Sequence, residues 1–292
     1  MFGPARRTWV LGGGGARGAA QVGVIQALFE AGVEVPAAIV GTSVGALNGA
    51  SIAAYPSLAG TMMLREVWLS RHAAAVFEAH PLGVIISGLR RELTSVMPQR
   101  NVRNLIDRAQ ALTGVTTFEQ LRVPLAVVAT DMNAGKPAVF RSGELAPALL
   151  ASTAIPGVFP SVRINDREHL DGGVVENTPI DIAVDDGARD ILAVSLMAGG
   201  EFEQTPTSLP ELIARTLQLS LHHQMLNDYE RLRQRARIVV LCPITAPTNT
   251  WVMKPAHVES VIEASRKATA EVLKQRSSRL FRHSGIHYIP LS

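Results

Sequence analysis

The sequence predicts an α/β fold with a mostly parallel central sheet and helices on both faces. Short apolar runs alternate along the chain with longer segments of helical periodicity, which is the pattern of strands joined by helices. The 292 residues are 47% apolar, which is enough to bury one large core. No internal repeat or low-complexity linker interrupts the chain, so we expect a single domain over residues 1–292.

The first predicted strand, Thr8–Leu11, runs into the glycine-rich segment 12–18. A helix is predicted next, from about Ala19 to Ala31, because its apolar residues recur at helical spacing and Gly32 suits the C-terminal cap. Four successive glycines leave backbone amides unshielded, and such a loop ahead of a helix binds anions.

Three kinds of anion site can be considered for this loop. A mononucleotide P-loop requires Gly-Lys-Ser/Thr at its end, whereas this loop ends in Arg17-Gly18-Ala19. A dinucleotide site matches the spacing of Gly13, Gly15 and Gly18, but the second strand ends without the acidic residue that binds the ribose. The third interpretation is an oxyanion hole, in which the amides of Gly14 and Gly15 bind a tetrahedral intermediate.

The second predicted strand, Ala37–Val40, leads into Gly41-Thr42-Ser43-Val44-Gly45, and a helix of small residues follows to Ala54. This is the layout of a nucleophile elbow, in which a serine occupies a sharp turn between a strand and a helix. The positions two before and two after that serine crowd each other, and here both are glycines, Gly41 and Gly45. The sequence therefore predicts an exposed, reactive hydroxyl at Ser43.

The middle and C-terminal parts of the chain continue the alternation of strands and helices. Strands are predicted near Leu125–Ala129, Pro137–Phe140, Ile191–Ser195 and Ile238–Leu241, and helices near Asn101–Leu112, Glu144–Ser152, Leu209–Arg233 and His257–Gln275. Residues 201–292 are accordingly expected to complete the fold that residues 8–200 begin.

Residues 65–108 are the least sheet-like part of the chain, and a helical cap over the active site is predicted for residues 65–115. Apolar residues such as Trp68, Phe77 and Ile85 alternate there with arginines such as Arg71 and Arg103. Two interpretations are open. The cap contacts lipid, with its arginines at the headgroups, or it is an amphipathic insertion packed on the core.

Ser43 needs a base to accept its proton. None of the eight histidines has a local setting typical of a catalytic triad. Asp171, by contrast, ends a short apolar segment and is followed by Gly172 and Gly173, which leave its carboxylate accessible. Asp131 is the rival acid but lacks this open context. Burial beside the serine would raise the pKa of Asp171 and make it a stronger base.

These segments together resemble the patatin-like phospholipases, serine acyl hydrolases with a Ser-Asp dyad. The resemblance covers roughly residues 8–200 and depends on four blocks in the family's order: Gly13-Gly14-Gly15-Ala16-Arg17-Gly18, Gly41-Thr42-Ser43-Val44-Gly45, Ala151-Ser152-Thr153-Ala154-Ile155-Pro156 and Asp171-Gly172-Gly173. It implies a three-layer patatin-like fold, Ser43 as nucleophile, Asp171 as general base, and the 13–18 loop as oxyanion hole. In the family's pattern Arg17 helps to order that loop.

The resemblance implies a lipid or another acyl ester as substrate, and neither a cofactor nor a metal ion is expected. Two other functions stay open. One is a catalytically weak lipid-binding or regulatory protein on a patatin-like fold, and the other is a dinucleotide-binding protein. The predicted helix Leu209–Arg233 carries several leucines that would suit either the core or the interface of a homo-oligomer.

Composition favours a cytoplasmic protein, with peripheral contact to a membrane left open. No apolar leader precedes the first strand. Residues 35–64 lack charged side chains, yet their prolines and glycines favour a buried strand and helix over a membrane span. The net charge of +3 is modest, and no nucleic-acid partner is expected.

Overall fold

The computed structural model describes residues 7–77, 95, 97–197, 205–244, 255–276 and 280–291. Its strands are β1 Thr8–Leu11, β2 Ala38–Thr42, β3 Leu125–Asp131, β4 Lys136–Phe140, β5 Val162–Ile164, β6 Arg167–Asp171, β7 Asp190–Val194, β8 Arg237–Ile244 and β9 Gly285–Pro290. Its helices are α1 Gly18–Glu30, α2 Val44–Ala54, α3 Leu58–Trp68, α4 Arg71–Phe77, α5 Arg100–Thr113, α6 Leu145–Ser152, α7 Ile180–Asp185, α8 Leu209–Leu232 and α9 Pro255–Arg276.

All the described strands belong to one sheet with the order β5-β6-β3-β2-β1-β7-β8-β9, and β4 pairs with β3. The six strands from β3 to β9 in this order run parallel to one another. Strands β4, β5 and β6 add antiparallel pairs at the β3 edge. The carboxyl ends of β1 and β2 therefore lie side by side, which is where ligands bind in sheets of this kind.

Buried residues alternate between the two faces of the sheet. Trp9 and Leu11 of β1 join a core cluster with helices α1, α2, α3 and α9. Val10, from the same strand, joins a second cluster with α7 and α8. A strand that contributes every second residue to each face must be covered by helices on both sides. The predicted three-layer arrangement is confirmed.

The predicted strands and helices are present, with ends that differ by a few residues. Strand β2 continues to Thr42 and β3 to Asp131, because pairing persists into the polar residues that follow each apolar run. The sequence analysis did not predict β5, β6, β9 or α7, which are only three to six residues long. Segments this short contain too few apolar positions to show a period.

The described part of the predicted cap is helical. Helices α3, α4 and α5 enclose apolar side chains of α2 and α6, on the face of the sheet that also holds α1. Residues 78–94 of the predicted cap, including Ile85, lie outside the described residues. In the described ranges, no helix combines the length and the apolarity that crossing a membrane requires.

Candidate active site

The register of the sheet brings two predicted site residues to the same level. Thr42 of β2 pairs with Val128 of β3, and Asp171 of β6 pairs with Ala129, the next residue of β3. Ser43 directly follows Thr42. Ser43 and Asp171 therefore lie at nearly the same level along β3, on the two strands that flank it in the sheet. The antiparallel direction of β6 thus brings the end of that strand back toward the end of β2.

Ser43 occupies a sharp turn between β2 and α2, with a φ of 55°. A positive φ is strained for a residue with a side chain, and the close fit of its neighbours maintains it. A Cβ added at Gly45 would lie 2.0 Å from the carbonyl oxygen of Leu11, so only glycine fits there. The backbone amide of Ser43 donates to Ser152 Oγ at 2.8 Å, and Ser152 Oγ donates to Val128 O at 2.6 Å.

The Ser43 hydroxyl donates a hydrogen bond to Asp171. Oγ lies 2.5 Å from Oδ2, which is short for a bond between these groups. The second carboxylate oxygen, Oδ1, accepts from the amide of Gly173 at 2.7 Å. Two hydrogen bonds to different oxygens hold the plane of the carboxylate and leave Oδ2 directed at the serine.

Burial raises the pKa of Asp171 from its ordinary value of 3.8 to about 6, although the bonds from Ser43 and Gly173 oppose the rise. Both side chains are buried, each with 5% of its surface exposed. A carboxylate with a raised pKa is a better proton acceptor and is still ionised at neutral pH. Asp171 can therefore accept the proton of the Ser43 hydroxyl.

The glycine-rich loop lies against the serine. A Cβ added at Gly13 would come within 3.1 Å of Ser43 Cβ, so the loop backbone approaches the nucleophile closely. The Gly13 amide is already engaged, because it donates to Asn177 O at 3.0 Å. Among the hydrogen bonds of the described residues, none uses the amide of Gly14 or Gly15. These two loop amides are therefore able to donate to an anion beside Ser43.

Arg17 is buried within the short 3-10 helix Gly15–Arg17, ahead of Gly18 at the start of α1. Its guanidinium contacts neutral groups in the described part of the chain: Leu196 O at 3.5 Å, Met197 Sδ at 3.4 Å and Gln218 Oε1 at 3.1 Å. Burial, together with the charge of Arg215, lowers the pKa of Arg17 to about 10. These contacts tie the glycine-rich loop to the end of β7 and to α8.

Asp131, the alternative candidate for the base, forms its hydrogen bonds with other groups. Asp131 accepts from Arg167 Nε at 2.5 Å and from the amides of Asn133 and Ala134. The Arg167 hydrogen bond lowers the pKa of Asp131 to about 2, which makes it a weak base. His169, two residues before Asp171, is buried and forms a T-shaped ring contact with Phe140, and its Nδ1 has no hydrogen-bond partner among the described residues. Within the described ranges, no histidine forms a hydrogen bond with Ser43 or Asp171.

Sequence reasoning missed several residues that position this site. Ser152 fixes the amide of Ser43, while Thr130 Oγ1 donates to Asp171 O at 2.8 Å. Asn177 accepts from the loop amide of Gly13 through its backbone oxygen. The sequence pointed to Ser152 only as part of the 151–156 block. Its role could not be predicted, because it depends on which amide the side chain contacts in the folded protein. Thr130 and Asn177 belong to none of the motifs found in the sequence.

A family model described as patatin-like phospholipase matches residues 9–184. An uncharacterized NTE family protein of Mycobacterium tuberculosis is 34% identical over 195 residues, which are 64% of this chain and 48% of that protein. Patatin-like phospholipase domain-containing protein 6 of Homo sapiens is 32% identical over 189 residues, which are 64% of this chain and 13% of that protein.

Among solved structures, VipD from Legionella pneumophila is similar in fold. The match covers 93% of this chain and 67% of that one, with a TM-score of 0.51 and 14% sequence identity. The chain spans about half the length of the mycobacterial relative and a smaller share of the human one.

Proposed function

Because this chain belongs to the patatin-like phospholipase family, we propose that it is a serine hydrolase of lipid carboxylic esters, with Ser43 as nucleophile and Asp171 as general base. The observation that carries the proposal is the 2.5 Å hydrogen bond from Ser43 Oγ to Asp171 Oδ2, in a buried site next to loop amides that form no hydrogen bond with the described residues. A nucleophile in contact with its base is the minimum requirement of acyl transfer through serine.

In the proposed reaction, Asp171 accepts the hydroxyl proton as Ser43 Oγ attacks the ester carbonyl carbon. The amides of Gly14 and Gly15 bind the oxyanion of the tetrahedral intermediate. Protonated Asp171 then returns its proton to the leaving alcohol, and an acyl-enzyme forms on Ser43. Asp171 next activates a water molecule, whose attack releases the fatty acid and restores the free serine.

The environment of Asp171 suits both halves of this cycle. Its pKa of about 6 leaves the carboxylate ionised at neutral pH and ready to accept a proton. The same raised value makes the protonated form a usable acid for the departing alkoxide. Because Gly173 holds Oδ1, the side chain keeps its orientation while its protonation state changes.

The test compares three variants in hydrolysis of p-nitrophenyl butyrate. We expect Ser43→Ala to abolish turnover and Asp171→Asn to lower kcat by about 10²-fold to 10⁴-fold, the usual range for a general base. Asp131→Asn, which alters the other acid of the same sheet edge, should keep most of the activity. Circular dichroism of each variant checks the fold.

Three outcomes would contradict the proposal: near-normal turnover by Asp171→Asn, retained turnover by Ser43→Ala, or a larger loss in Asp131→Asn than in Asp171→Asn. Binding of lipid vesicles by the wild type without any hydrolysis would favour the regulatory alternative instead.

A further inference from the structure

Two neighbouring cavities lie at the amino ends of the parallel strands, at the opposite end of the sheet from Ser43. Arg7 directly precedes β1, Asp190 begins β7 and Arg237 begins β8, and all three line the first cavity, which has a volume of about 790 Å³. Arg237 also lines the second cavity, which has a volume of about 370 Å³. Both volumes fall within the range of small-molecule sites.

The second cavity is strongly basic. Of the described residues that line it, none is acidic and six are basic: Arg189, Arg233, Arg235, Arg237, Arg282 and His283. Arg233 and Arg235 form ion pairs with exposed carboxylates. In the described part of the chain, neither Arg189 nor Arg282 forms an ion pair. The cavity therefore carries positive charge that the described residues do not neutralise.

The first cavity combines apolar surface with a shared carboxylate. Leu273 and Phe281 line it, and the Arg7 guanidinium lies 4.4 Å from the centroid of the Phe281 ring. The buried carboxylate of Asp190 accepts hydrogen bonds from both Arg7 and Arg237. One negative charge therefore faces two positive charges, and the excess positive charge lies beside an apolar wall.

The other charges of the first cavity do not cancel this excess. Lys274 adds a positive charge and forms no ion pair with the described residues. Of the two glutamates in the lining, Glu30 is paired with Arg266 at 2.8 Å, whereas Glu34 is exposed and unpaired within the described ranges. Lys274 and Glu34 balance each other, so the excess at Asp190 persists.

Stabilisation of helix ends accounts for only part of this charge. Arg233, Lys274 and Arg189 lie at or near the carboxyl ends of α8, α9 and α7, where cations are favourable. Arg237 begins a strand, and Arg282 lies six residues after the last residue of α9, so neither has this role. Each guanidinium also carries five N–H donors, most of which the observed contacts leave unused.

We propose that the two cavities form one binding groove for a soluble organic polyphosphate, with its phosphates in the second cavity and its apolar body in the first. Guanidinium groups bind phosphate oxygens through paired hydrogen bonds, and several arginines around one cavity favour a ligand with several negative charges. The apolar wall at Leu273 and Phe281 favours a phosphate ester over inorganic phosphate. This inference does not depend on the proposed hydrolase activity.

A phosphorylated lipid headgroup offers the same chemistry, but the position of the groove favours a soluble ligand. The parallel strands run from the groove toward the end of the sheet that holds Ser43. The length of β2 alone, Ala38–Thr42, spans about 13 Å of this path. A bilayer bound at the groove would therefore lie at the end of the sheet remote from the nucleophile.

The experiment titrates the wild type with the fluorescent nucleotide mant-ATP, a triphosphate ester with aromatic groups. We expect a saturable rise in mant fluorescence. ATP should reverse it at a concentration at least about tenfold lower than inorganic triphosphate, which lacks an apolar body. Ser43→Ala should bind mant-ATP as the wild type does, because the groove is remote from the nucleophile. No saturable binding up to about 1 mM, or equal displacement by ATP and inorganic triphosphate, overturns the assignment.

Matched arginine variants test the location. Arg282 lines the second cavity, whereas Arg100 is exposed at the start of α5, lines neither cavity and likewise has no ion pair with the described residues. Arg282→Gln should weaken mant-ATP binding at least about tenfold, because charge-assisted hydrogen bonds are lost. Arg100→Gln, with the same loss of net charge, should change it less than about twofold because salt screens distant charges.

Arg189→Gln removes a charge from the same cavity on a different segment of the chain. It should also weaken mant-ATP binding at least about tenfold, so a local change in the turn at Arg282 cannot alone produce the expected pattern. Equal effects of the substitutions at Arg282 and Arg100, or unchanged binding in both cavity variants, would show that the nucleotide binds elsewhere.

Vesicle sedimentation distinguishes the two sources of phosphate. Vesicles of phosphatidylcholine that contain phosphatidylinositol bisphosphate should sediment the wild type and Arg282→Gln to the same extent, because the groove takes a soluble ligand. Sedimentation that Arg282→Gln abolishes, together with no binding of mant-ATP, would overturn the proposal and indicate a site for a lipid headgroup.

Discussion

Replacing Asp171 by asparagine should stabilise the protein while it removes activity. Burial raises the pKa of the Asp171 carboxyl from 3.8 to about 6, so the folded state disfavours the ionised form. The corresponding stability is fully present below pH 3.8 and is lost as the pH rises through about 6. Since one pKa unit corresponds to about 1.4 kcal/mol, the buried charge costs about 3 kcal/mol at pH 8.

Asparagine has nearly the same shape, and it can still accept from the Gly173 amide and contact Ser43. The Asp171→Asn variant should therefore exceed the wild type in unfolding free energy by up to about 3 kcal/mol at pH 8. At pH 4 the wild-type carboxyl is neutral in the folded state, and the difference should fall below about 1 kcal/mol. Urea unfolding followed by circular dichroism at both pH values measures this difference.

Asp131→Asn supplies a control of opposite sign. Arg167 lowers the pKa of Asp131 to about 2, so its charge favours the folded state above its ordinary pKa of 3.8 and loses that effect as the pH falls toward 2. This variant should be less stable than the wild type at pH 8. An Asp171→Asn protein that is no more stable than the wild type at pH 8 would refute the argument that burial of the Asp171 carboxylate lowers the stability of the folded state.

Two further predictions concern the same site. The kcat/KM of the wild type for p-nitrophenyl butyrate should fall about tenfold per pH unit below about pH 6, because Asp171 must be ionised to act as base. A kcat/KM that stays constant down to about pH 4.5 would contradict this role. Ser152→Ala should lower the unfolding free energy by about 1–3 kcal/mol and reduce kcat, because the buried Ser43 amide loses its acceptor. Unchanged urea unfolding and unchanged kcat would show that Ser152 does not hold the turn.

Much of the fold was predictable because its central strands are continuous apolar runs between glycine-rich turns. Thr8–Leu11 and Leu125–Asp131 are buried on both faces, so their hydrophobicity is visible without any structure. β9 was not predicted, since His287 and Tyr288 interrupt its apolar character and its pairing with β8 depends on a partner more than forty residues earlier.

In the candidate site, too, local sequence predicts some features, whereas contacts between distant segments create the others. The turn at Ser43 and the glycine-rich loop follow from local sequence, because steric demands within a few residues select glycine. The contact between Ser43 and Asp171 spans 128 residues, and the register of β2, β3 and β6 creates it. Local sequence also could not predict the burial of Arg17, because its hydrogen-bond acceptors come from α8 and from the residues that follow β7.

Covalent labelling by a fluorophosphonate, which phosphonylates activated serines, tests the central claim most directly. Intact-protein mass spectrometry of the wild type should show one adduct, and peptide mapping should place it on Ser43. The adduct should be absent from Ser43→Ala and should form far more slowly in Asp171→Asn, since that variant lacks the base. Labelling of another residue, no labelling of the folded wild type, or an equal rate in Asp171→Asn would contradict a nucleophile activated by Asp171.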